Sequence, residues 1–304
     1  MPRELRSAAT PDVVRRKLLK SLPLGAALMA AGVGDAWLFE PQHLVVKRVD
    51  VRLDGLAGAW DGLRIVQLSD FHYVDRSDGR LIRRAVDLAN SLNPDLIALT
   101  GDYVTSGSYY DHSAARNALP CAEILSDLRA PLGVFATLGN HDLCNPRFIT
   151  RALEAQGVPV LRNSAVYVER AGARLWIAGV EDVIDGHARL DQALQFVPES
   201  GTTILLAHEP DFADVAKKYP VALQLSGHSH GGQVRLPIID SLFFPKLGRK
   251  YPAGMYRVGE MALYTNSGLG TVFLPVRFNC PPEVTLLTLR VGSGPAGTGE
   301  DTRA

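Results

Sequence analysis

Short apolar runs alternate with longer, amphipathic segments through most of the chain. Runs with the length of buried strands occur at residues 63–69, 95–101, 133–140, 174–180, 202–208, 221–227, 262–265 and 284–289. Segments whose apolar residues recur at helical spacing occur at residues 78–93, 113–128, 146–156 and 211–219. Strand–helix alternation followed by a strand-rich half predicts a layered α/β domain with at least one largely parallel sheet.

The N-terminal forty residues have a different character. Residues 1–20 contain six basic and two acidic side chains, and the apolar stretch 21–34 is shorter than a bilayer span. The pair Arg15-Arg16 before this stretch resembles a twin-arginine export signal, whereas an extension through Phe39 would make an anchor. A basic N-terminal helix of a cytosolic protein is the alternative. We predict a twin-arginine-type signal or membrane anchor at residues 1–40.

This prediction names a partner and a location. The twin-arginine export machinery would carry the chain to the periplasm or to the outer face of the cytoplasmic membrane, with possible membrane association through the N-terminus. We expect one folded domain at residues 41–291 and a disordered, Gly-rich tail at residues 292–304.

Charge and cysteine content exclude some classes of function. The chain has 304 residues, with 32 Lys+Arg and 32 Asp+Glu, and this neutrality argues against broad nucleic-acid binding. We therefore expect no nucleic-acid partner. Cys121, Cys144 and Cys280 have no metal-like spacing, and they are interpreted as ordinary small residues.

Polar residues of one chemical type follow five of the predicted strands. These residues are Asp70, His72, Asp102, Asn140, His141, Asp142, His208, His228 and His230. Each short motif alone is typical of a turn or a cap. The set is more specific, because it contains five of the eight histidines. Binding sites in open α/β sheets form outside the carboxyl ends of strands, so we expect these side chains to meet at one rim.

The ordered series D-x-H, G-D, G-N-H-D, H and G-H-x-H, across residues 60–290, resembles the calcineurin-like metallophosphoesterase superfamily. The stretches GHSHGGQVRLP, YPAGMY, NSGLGT and VRFNCPPEV resemble its exported bacterial phosphodiesterase branch. The resemblance implies a layered α/β/β/α sandwich with two mixed β-sheets, and a metallophosphoesterase domain at residues 41–291. It also implies a phosphodiesterase with two divalent metal ions.

The resemblance assigns ligands to both ions. Asp70, His72, Asp102 and His230 would bind the first metal ion, and Asp102, Asn140, His208 and His228 would bind the second. Nitrogen and oxygen ligands without a thiolate suit Mn, Fe or Zn. A hydroxide bridging both ions would be the nucleophile that attacks a phosphoester substrate.

The resemblance also assigns His141 as the general acid for the leaving oxygen. Asp142 could orient it, or could cap the following turn. Many relatives carry Asp three residues after the G-D aspartate, where this chain has Thr105. The carboxylate that usually partners the catalytic histidine is then missing, which favours Asp142 as the partner of His141. Phosphoprotein phosphatases continue with Arg where this chain has Gly107, which argues against that class.

Three other functions remain open. The chain could be a pyrophosphatase or hydrolase of phospholipid or sugar-nucleotide lipid substrates, a non-catalytic metal-binding scaffold of the same fold, or a nuclease. The loop Leu236–Gly248 is apolar and aromatic, and it could contact a lipidic substrate or pack onto the sheet.

Overall fold

The computed structural model describes residues 30–107, 111–236, 240–241, 244–292, 297–298 and 302–303. Most of the predicted export signal therefore lies outside the described residues. Among the described helices, none combines the length and the apolar character needed to cross a bilayer.

The first sheet is mixed. Its strands are β1 (Val45–Leu53), β2 (Arg64–Leu68), β3 (Leu96–Leu99), β4 (Val134–Ala136), β13 (Glu283–Val291), β14 (Gly297–Thr298) and β15 (Thr302–Arg303). They are ordered β14-β1-β13-β2-β3-β4, and β15 also pairs with β1. Strands β2, β3 and β4 are parallel, while β13 runs antiparallel to β2. Two segments of the predicted disordered tail, β14 and β15, thus pair with β1.

The second sheet is also mixed. Its strands are β5 (Ser164–Arg170), β6 (Ala173–Gly179), β7 (Thr202–Leu206), β8 (Leu223–Ser226), β11 (Gly254–Val258) and β12 (Met261–Thr265). They are ordered β11-β12-β8-β7-β6-β5, with the central four parallel and each edge strand antiparallel to its neighbour. A separate two-stranded ribbon pairs β9 (Arg235–Leu236) with β10 (Asp240–Ser241).

Helices cover the outer face of each sheet. They are α1 (Arg76–Ser91), α2 (Ala118–Leu125), α3 (Pro146–Glu154), α4 (Leu190–Leu194) and α5 (Ala213–Ala216). One apolar cluster joins α1, α2 and α3 to the first sheet, a second lies between the sheets, and a third joins α4 and α5 to the second sheet. These layers confirm the predicted α/β/β/α sandwich.

Local sequence explains the element boundaries. Helix α1 begins at a capping box, in which Asp75 accepts a hydrogen bond from Ser77 N and Asp78 accepts one from Asp75 N. The predicted helix at residues 211–219 is shorter than expected, because it consists of the 3-10 turn Pro210–Phe212 and the four-residue α5. Strands β1, β5 and β11 were not predicted, since their apolar content is diluted by charged or polar residues.

Hydrogen bonds between the sheets align their carboxyl ends. The Gln67 side chain of β2 donates to Ser226 O of β8 at 2.8 Å. The Thr137 hydroxyl, just after β4, donates to Val180 O at 2.6 Å, just after β6. Because both bonds are buried, they fix the two strand rims against each other and place the loops that follow at one edge of the sandwich.

Residues 30–42 form a helical segment that packs on the domain. This segment includes the end of the predicted signal. Ala36 is buried and accepts a hydrogen bond from Arg277 N at 3.0 Å. The Glu40 carboxylate accepts hydrogen bonds from Asn279 N and Cys280 N. The domain therefore contacts the chain before residue 41.

Candidate metal centre

The loops after β2, β3, β4, β7 and β8 bring the predicted polar residues together at one rim. Asp70, His72, Asp102, Asp142, His208, His228 and His230 are buried, while Asn140 and His141 are partly exposed. The three remaining histidines, His43, His112 and His187, lie outside this group. A buried cluster of carboxylates and imidazoles is costly without partners, and a bound cation would supply them.

One half of the centre contains Asp70, His72 and His230, whose candidate ligand atoms lie within 4.8 Å of one another. His230 Nε2 lies 3.3 Å from Asp70 Oδ1 and 3.0 Å from His72 Nε2. Two imidazole nitrogens and a carboxylate oxygen that converge on one point are a suitable donor set for a divalent transition-metal ion.

The other half contains Asp102, His208 and His228, which satisfy the same distance limit. His208 Nε2 lies 3.1 Å from Asp102 Oδ2, and the same oxygen lies 3.5 Å from His72 Nε2 in the first half. Asp102 thus stands between the two halves, in the place of a bridging ligand. Its carboxylate would offset the repulsion between two neighbouring cations.

Asn140, which the resemblance assigns to the second ion, carries an oxygen that fits a metal ligand. Its Oδ1 is buried and has no hydrogen-bond partner among the described residues. Such an orphaned oxygen is costly unless a ligand occupies it. The donor set therefore fits two divalent ions without identifying the metal.

Electrostatics keep most of the imidazoles in the metal-binding form. Burial lowers the pKa of His72 to about 3 and that of His228 to about 4, and it lowers the pKa of His230 well below its ordinary value. These rings are neutral near pH 7 and need not lose a proton before binding a metal ion. Burial opposes protonation of His208, but the Asp102 and Asp70 carboxylates raise its pKa well above the ordinary value.

Two backbone carbonyls and one side-chain hydroxyl orient the outer nitrogens of three rings. His208 Nδ1 donates to Thr100 O at 2.6 Å, which leaves Nε2 for Asp102 and a metal ion. His228 Nε2 donates to Lys246 O at 2.8 Å, so the described part of loop 236–248 borders the centre. His72 Nδ1 lies 3.1 Å from the Thr105 hydroxyl. Thr105 therefore contacts a predicted metal ligand and not the predicted general acid.

The ligand loops adopt an unusual backbone. The φ angle is positive at Asp70 (53°), His72 (46°), Asp102 (57°), His228 (67°) and His230 (51°). Asp and His tolerate this left-handed region better than most residues, yet five instances in one site are a concentration of strain. Tertiary hydrogen bonds stabilise this strained backbone, and the left-handed conformation turns each side chain toward the common centre.

The NSGLGT motif, Asn266–Thr271, supports the first half of the centre. A Cβ at Gly268 would lie 2.7 Å from the Asp70 Cβ, and φ there is +74°. Leu269 N donates to Ser69 O, and Gly270 N donates to Asp70 O. We assigned this motif no role from the sequence, and the requirement for glycine beside Asp70 is a signal that only the packing reveals.

Buried Arg277 holds that motif in place. Its guanidinium donates to the carbonyls of Ser267, Gly268, Gly270 and Cys280 at 2.6–3.1 Å. The VRFNCPPEV stretch thus supports the metal centre from behind. An arginine that spans four carbonyls uses its forked donors to define a loop, which lysine could not reproduce.

Asp142 has backbone amides as its partners, in line with the capping alternative. Its carboxylate accepts hydrogen bonds from the backbone amides of Asp102, Tyr103 and Gly139, each at 2.9 Å. His141 Nδ1 instead lies 2.8 Å from Ser106 O. Asp142 thus positions the two ligand loops, and a backbone carbonyl orients His141. Burial and the Asp102 carboxylate raise the pKa of Asp142 to about 8, against the effect of its amide donors.

Comparison with known proteins identifies the family of this centre. Residues 63–232 match the calcineurin-like phosphoesterase family. The chain belongs to the calcineurin-like phosphoesterase family. The matched residues hold every predicted ligand, from Asp70 to His230. Calcineurin-like phosphoesterases are metal-dependent hydrolases of phosphoric esters, and the Asp/His clusters of this chain could hold two divalent ions. The ligand atoms of a third group, His72, Asp102 and His141, also lie within 4.8 Å of one another, which brings the predicted general acid to the centre.

Bacterial calcineurin-like phosphoesterases resemble this chain over most of its length. It is 35% identical to the uncharacterised metallophosphoesterase YkuE of Bacillus subtilis (strain 168), over 91% of this chain and 97% of that protein. It is 34% identical to the phosphodiesterase YaeI of Escherichia coli (strain K12), over 74% and 82% respectively. It is 27% identical to the UDP-2,3-diacylglucosamine pyrophosphatase LpxG of Chlamydia muridarum, over 82% and 90% respectively.

Proposed function

We propose that this protein is a phosphodiesterase that requires two divalent metal ions and acts outside the cytoplasm. The observation that carries the proposal is Asp102, which lies within reach of ligands from both halves of the centre. When bound, two divalent ions supply Lewis acidity toward the phosphoryl oxygens and acidify the water that attacks phosphorus. Mn, Fe and Zn all suit the donor set.

The residues of the chain have two further roles, which are charge compensation and proton transfer. The Asp70 and Asp102 carboxylates compensate positive charge, and the neutral imidazoles of His72, His228 and His230 add ligands without adding charge. His141 is the general acid. Its Nδ1 faces the Ser106 backbone, with the carbonyl oxygen at 2.8 Å and the amide nitrogen at 3.1 Å, so Nε2 is the nitrogen left for the leaving oxygen. With the ring protonated, Nε2 would donate its proton to that oxygen.

The proposed location rests on the sequence before the described residues. The Arg15-Arg16 pair and the apolar stretch 21–34 support twin-arginine export to the periplasm or to the outer face of the cytoplasmic membrane. Replacement of both arginines by lysine should leave the protein in the cytoplasm. An unchanged distribution between cell fractions would contradict this part of the proposal.

Two substrate classes are supported by similarity. The phosphodiesterase YaeI favours a diester, whereas LpxG is named as a UDP-2,3-diacylglucosamine pyrophosphatase. Diesters and pyrophosphates both present a phosphoryl group with a bulky leaving group, so the same centre could hydrolyse either. We place the diester first because YaeI is more similar to this chain than LpxG is.

The decisive experiment couples metal analysis to a substrate screen. The purified chain, loaded with Mn, Fe or Zn, is assayed on an aryl phosphomonoester, an aryl phosphodiester, a pyrophosphate diester and single-stranded DNA. Asp102→Ala and His208→Ala should lower bound metal and abolish hydrolysis, whereas His187→Ala, at an exposed position, should change neither. Unchanged metal content and activity in Asp102→Ala would refute the proposal, and an inert metal-loaded enzyme would favour a binding scaffold.

A further inference from the structure

Two segments of the domain expose large apolar side chains to water. Phe273 is 100% exposed, Phe39 is 67% exposed and Trp37 is 49% exposed, and Leu38 and Leu274 are exposed as well. We call Trp37, Leu38, Phe39, Phe273 and Leu274 the apolar rim. Single exposed apolar residues are ordinary, but five on two joined segments form a patch that calls for a binding partner.

The fold builds the apolar rim rigidly. Arg277 N donates to Ala36 O at 3.0 Å, which joins the segment of Phe273 to the segment of Trp37. The Glu40 carboxylate reinforces this junction at Asn279 N and Cys280 N. Trp37, Leu38 and Phe39 therefore lie on a stretch that is anchored to the domain at both ends.

The backbone of Phe273 is strained. Its φ angle is +64°, a left-handed conformation that is a genuine outlier for a bulky residue. Such strain persists only where the surroundings impose it, and here it holds the whole ring in solvent. A turn that required this conformation for packing alone would favour Gly or Asn. The fully exposed ring therefore adds no packing inside the domain.

The apolar rim is tied to the metal centre. The Gln233 side chain donates to Val272 O at 3.2 Å and to Leu274 O at 3.0 Å, and it accepts from Val272 N at 2.8 Å. Gln233 directly follows the turn His230–Gly232, which carries a metal ligand. One side chain thus connects the Phe273 loop to the ligand loop, and the rim lies beside the loops of the centre.

A cavity with basic residues in its lining lies next to the segment that Glu40 contacts. This cavity of about 480 Å³ is lined by Lys47, Arg48 and Arg235 together with Glu283, and its wall includes the Asn279–Pro281 segment that Glu40 contacts. Asp35 and Glu40 flank Trp37, Leu38 and Phe39, so attraction to anionic lipid headgroups would come from the basic residues at positions 1–20. The apolar stretch 21–34 and the basic residues before it lead directly into Trp37.

We propose that the apolar rim inserts into the interfacial layer of an anionic bilayer, with Phe273 and Trp37 among the acyl chains near the headgroups. The metal centre would then lie beside the membrane, where it meets phosphoesters of lipids. The expectation that the centre meets lipid phosphoesters rests on the proposed function. Docking onto the membrane does not, because it needs no catalysis. The occupant is a lipid surface, to which Trp and Phe are suited by their large apolar rings.

Trp fluorescence in the full-length chain tests this proposal. Trp60 and Trp176 are buried, so a Trp37→Phe background removes the exposed indole. In that background, Phe273→Trp places a probe on the rim, and Phe196→Trp places a matched probe at an 81% exposed position just after α4. Vesicles of phosphatidylglycerol and phosphatidylethanolamine with brominated acyl chains should quench the probe at 273 and leave the probe at 196 bright.

A second readout measures binding strength. Phe273→Ser should weaken partitioning onto the same vesicles by about tenfold, the order expected when one large apolar side chain is no longer buried, and Phe196→Ser should not weaken it. Absence of vesicle binding would overturn the proposal. Binding without quenching at 273 would also overturn it, since residues 1–29 would then bind alone.

Self-association and catalysis are tested separately. If Phe273→Ser converts a dimer to a monomer in sedimentation and leaves vesicle partitioning unchanged, the rim binds a second copy and the lipid proposal is wrong. His208→Ala, which should lack activity, should retain normal quenching at 273. Failure of the proposed function and failure of membrane docking therefore give different results.

Discussion

Gly227 is the position where a single methyl group should disable the centre. A Cβ at this residue would lie 1.9 Å from Ser69 Oγ and 2.3 Å from Asp70 Oδ2, where ordinary contacts are 3.4–4 Å. The Asp70 carboxylate also accepts hydrogen bonds from His228 N at 3.0 and 3.1 Å, so both ligand loops meet at this point. Gly227→Ala therefore forces Asp70 and the His228 loop apart by about 1 Å, because the close-packed interior offers no other space.

The size of the effect follows from that displacement. Metal–ligand distances tolerate about 0.2 Å, so a shift of about 1 Å removes Asp70 as a ligand. Overpacking costs about 1–3 kcal/mol of stability. Misplacement on this scale lowers catalysis by about 100-fold. We expect Gly227→Ala to fold with a lower Tm, to bind less metal and to lose most of its diesterase activity.

Three measurements on one preparation check this prediction. Elemental analysis gives the metal content, thermal unfolding gives the Tm, and an aryl phosphodiester gives kcat/KM. Gly58→Ala is the control, because a Cβ there meets nothing within 4 Å. If Gly227→Ala kept its full metal content and wild-type kcat/KM, the close approach of Ser69 and Asp70 would not be required, and the reasoning would be refuted.

Three further predictions follow from the centre. His141→Ala should keep the metal content and the Tm but lower kcat by about 100-fold or more, as loss of a general acid does, and loss of metal would contradict that role. Asp142→Asn should lower the Tm, because it weakens hydrogen bonds to backbone amides that contribute about 1–3 kcal/mol of stability. The acid limb of its pH–rate profile should stay at the wild-type pH. A shift of that limb would show that Asp142 is coupled to His141. Burial raises the pKa of Asp70 to about 6, so protons compete with the metal ion as pH falls through that value. Chelator competition should show the metal affinity of the half that contains Asp70 falling by about tenfold per pH unit below about 6. The raised pKa of His208 makes protons compete in the other half already at higher pH, so Asp70→Asn is the control: a slope below pH 6 that this variant leaves unchanged would contradict the ligand role of Asp70.

The metal-ligand residues could be located from the sequence because each of them lies next to an apolar run that predicts a strand. Asp70, His72 and Asp102 directly follow apolar runs, and the carboxyl ends of parallel strands must share a rim. The same periodicity predicted the layered α/β class, since buried strands and amphipathic helices have distinct repeats. Element types were predictable in this way, whereas strands with mixed composition, such as β5, were not.

The roles of Asp142 and Thr105 depended on distances that no spacing encodes. Both lie close in sequence to ligand motifs, and either could have faced His141. In the folded chain Asp142 binds three backbone amides, and Thr105 contacts His72. Backbone amides and carbonyls are present at every residue, so sequence alone cannot show which of them a side chain will meet.

The sequence by itself determined which residues can bind metal and the order in which strands deliver them. The tertiary structure alone decided that Asp102 lies between two ligand clusters, that Arg277 holds the loop beside Asp70, and that Phe273 is held in solvent. The physical reason is that ligand chemistry belongs to single side chains, whereas these three features arise from contacts between segments far apart in the chain. Their partners are selected by packing and hydrogen bonding of the whole domain.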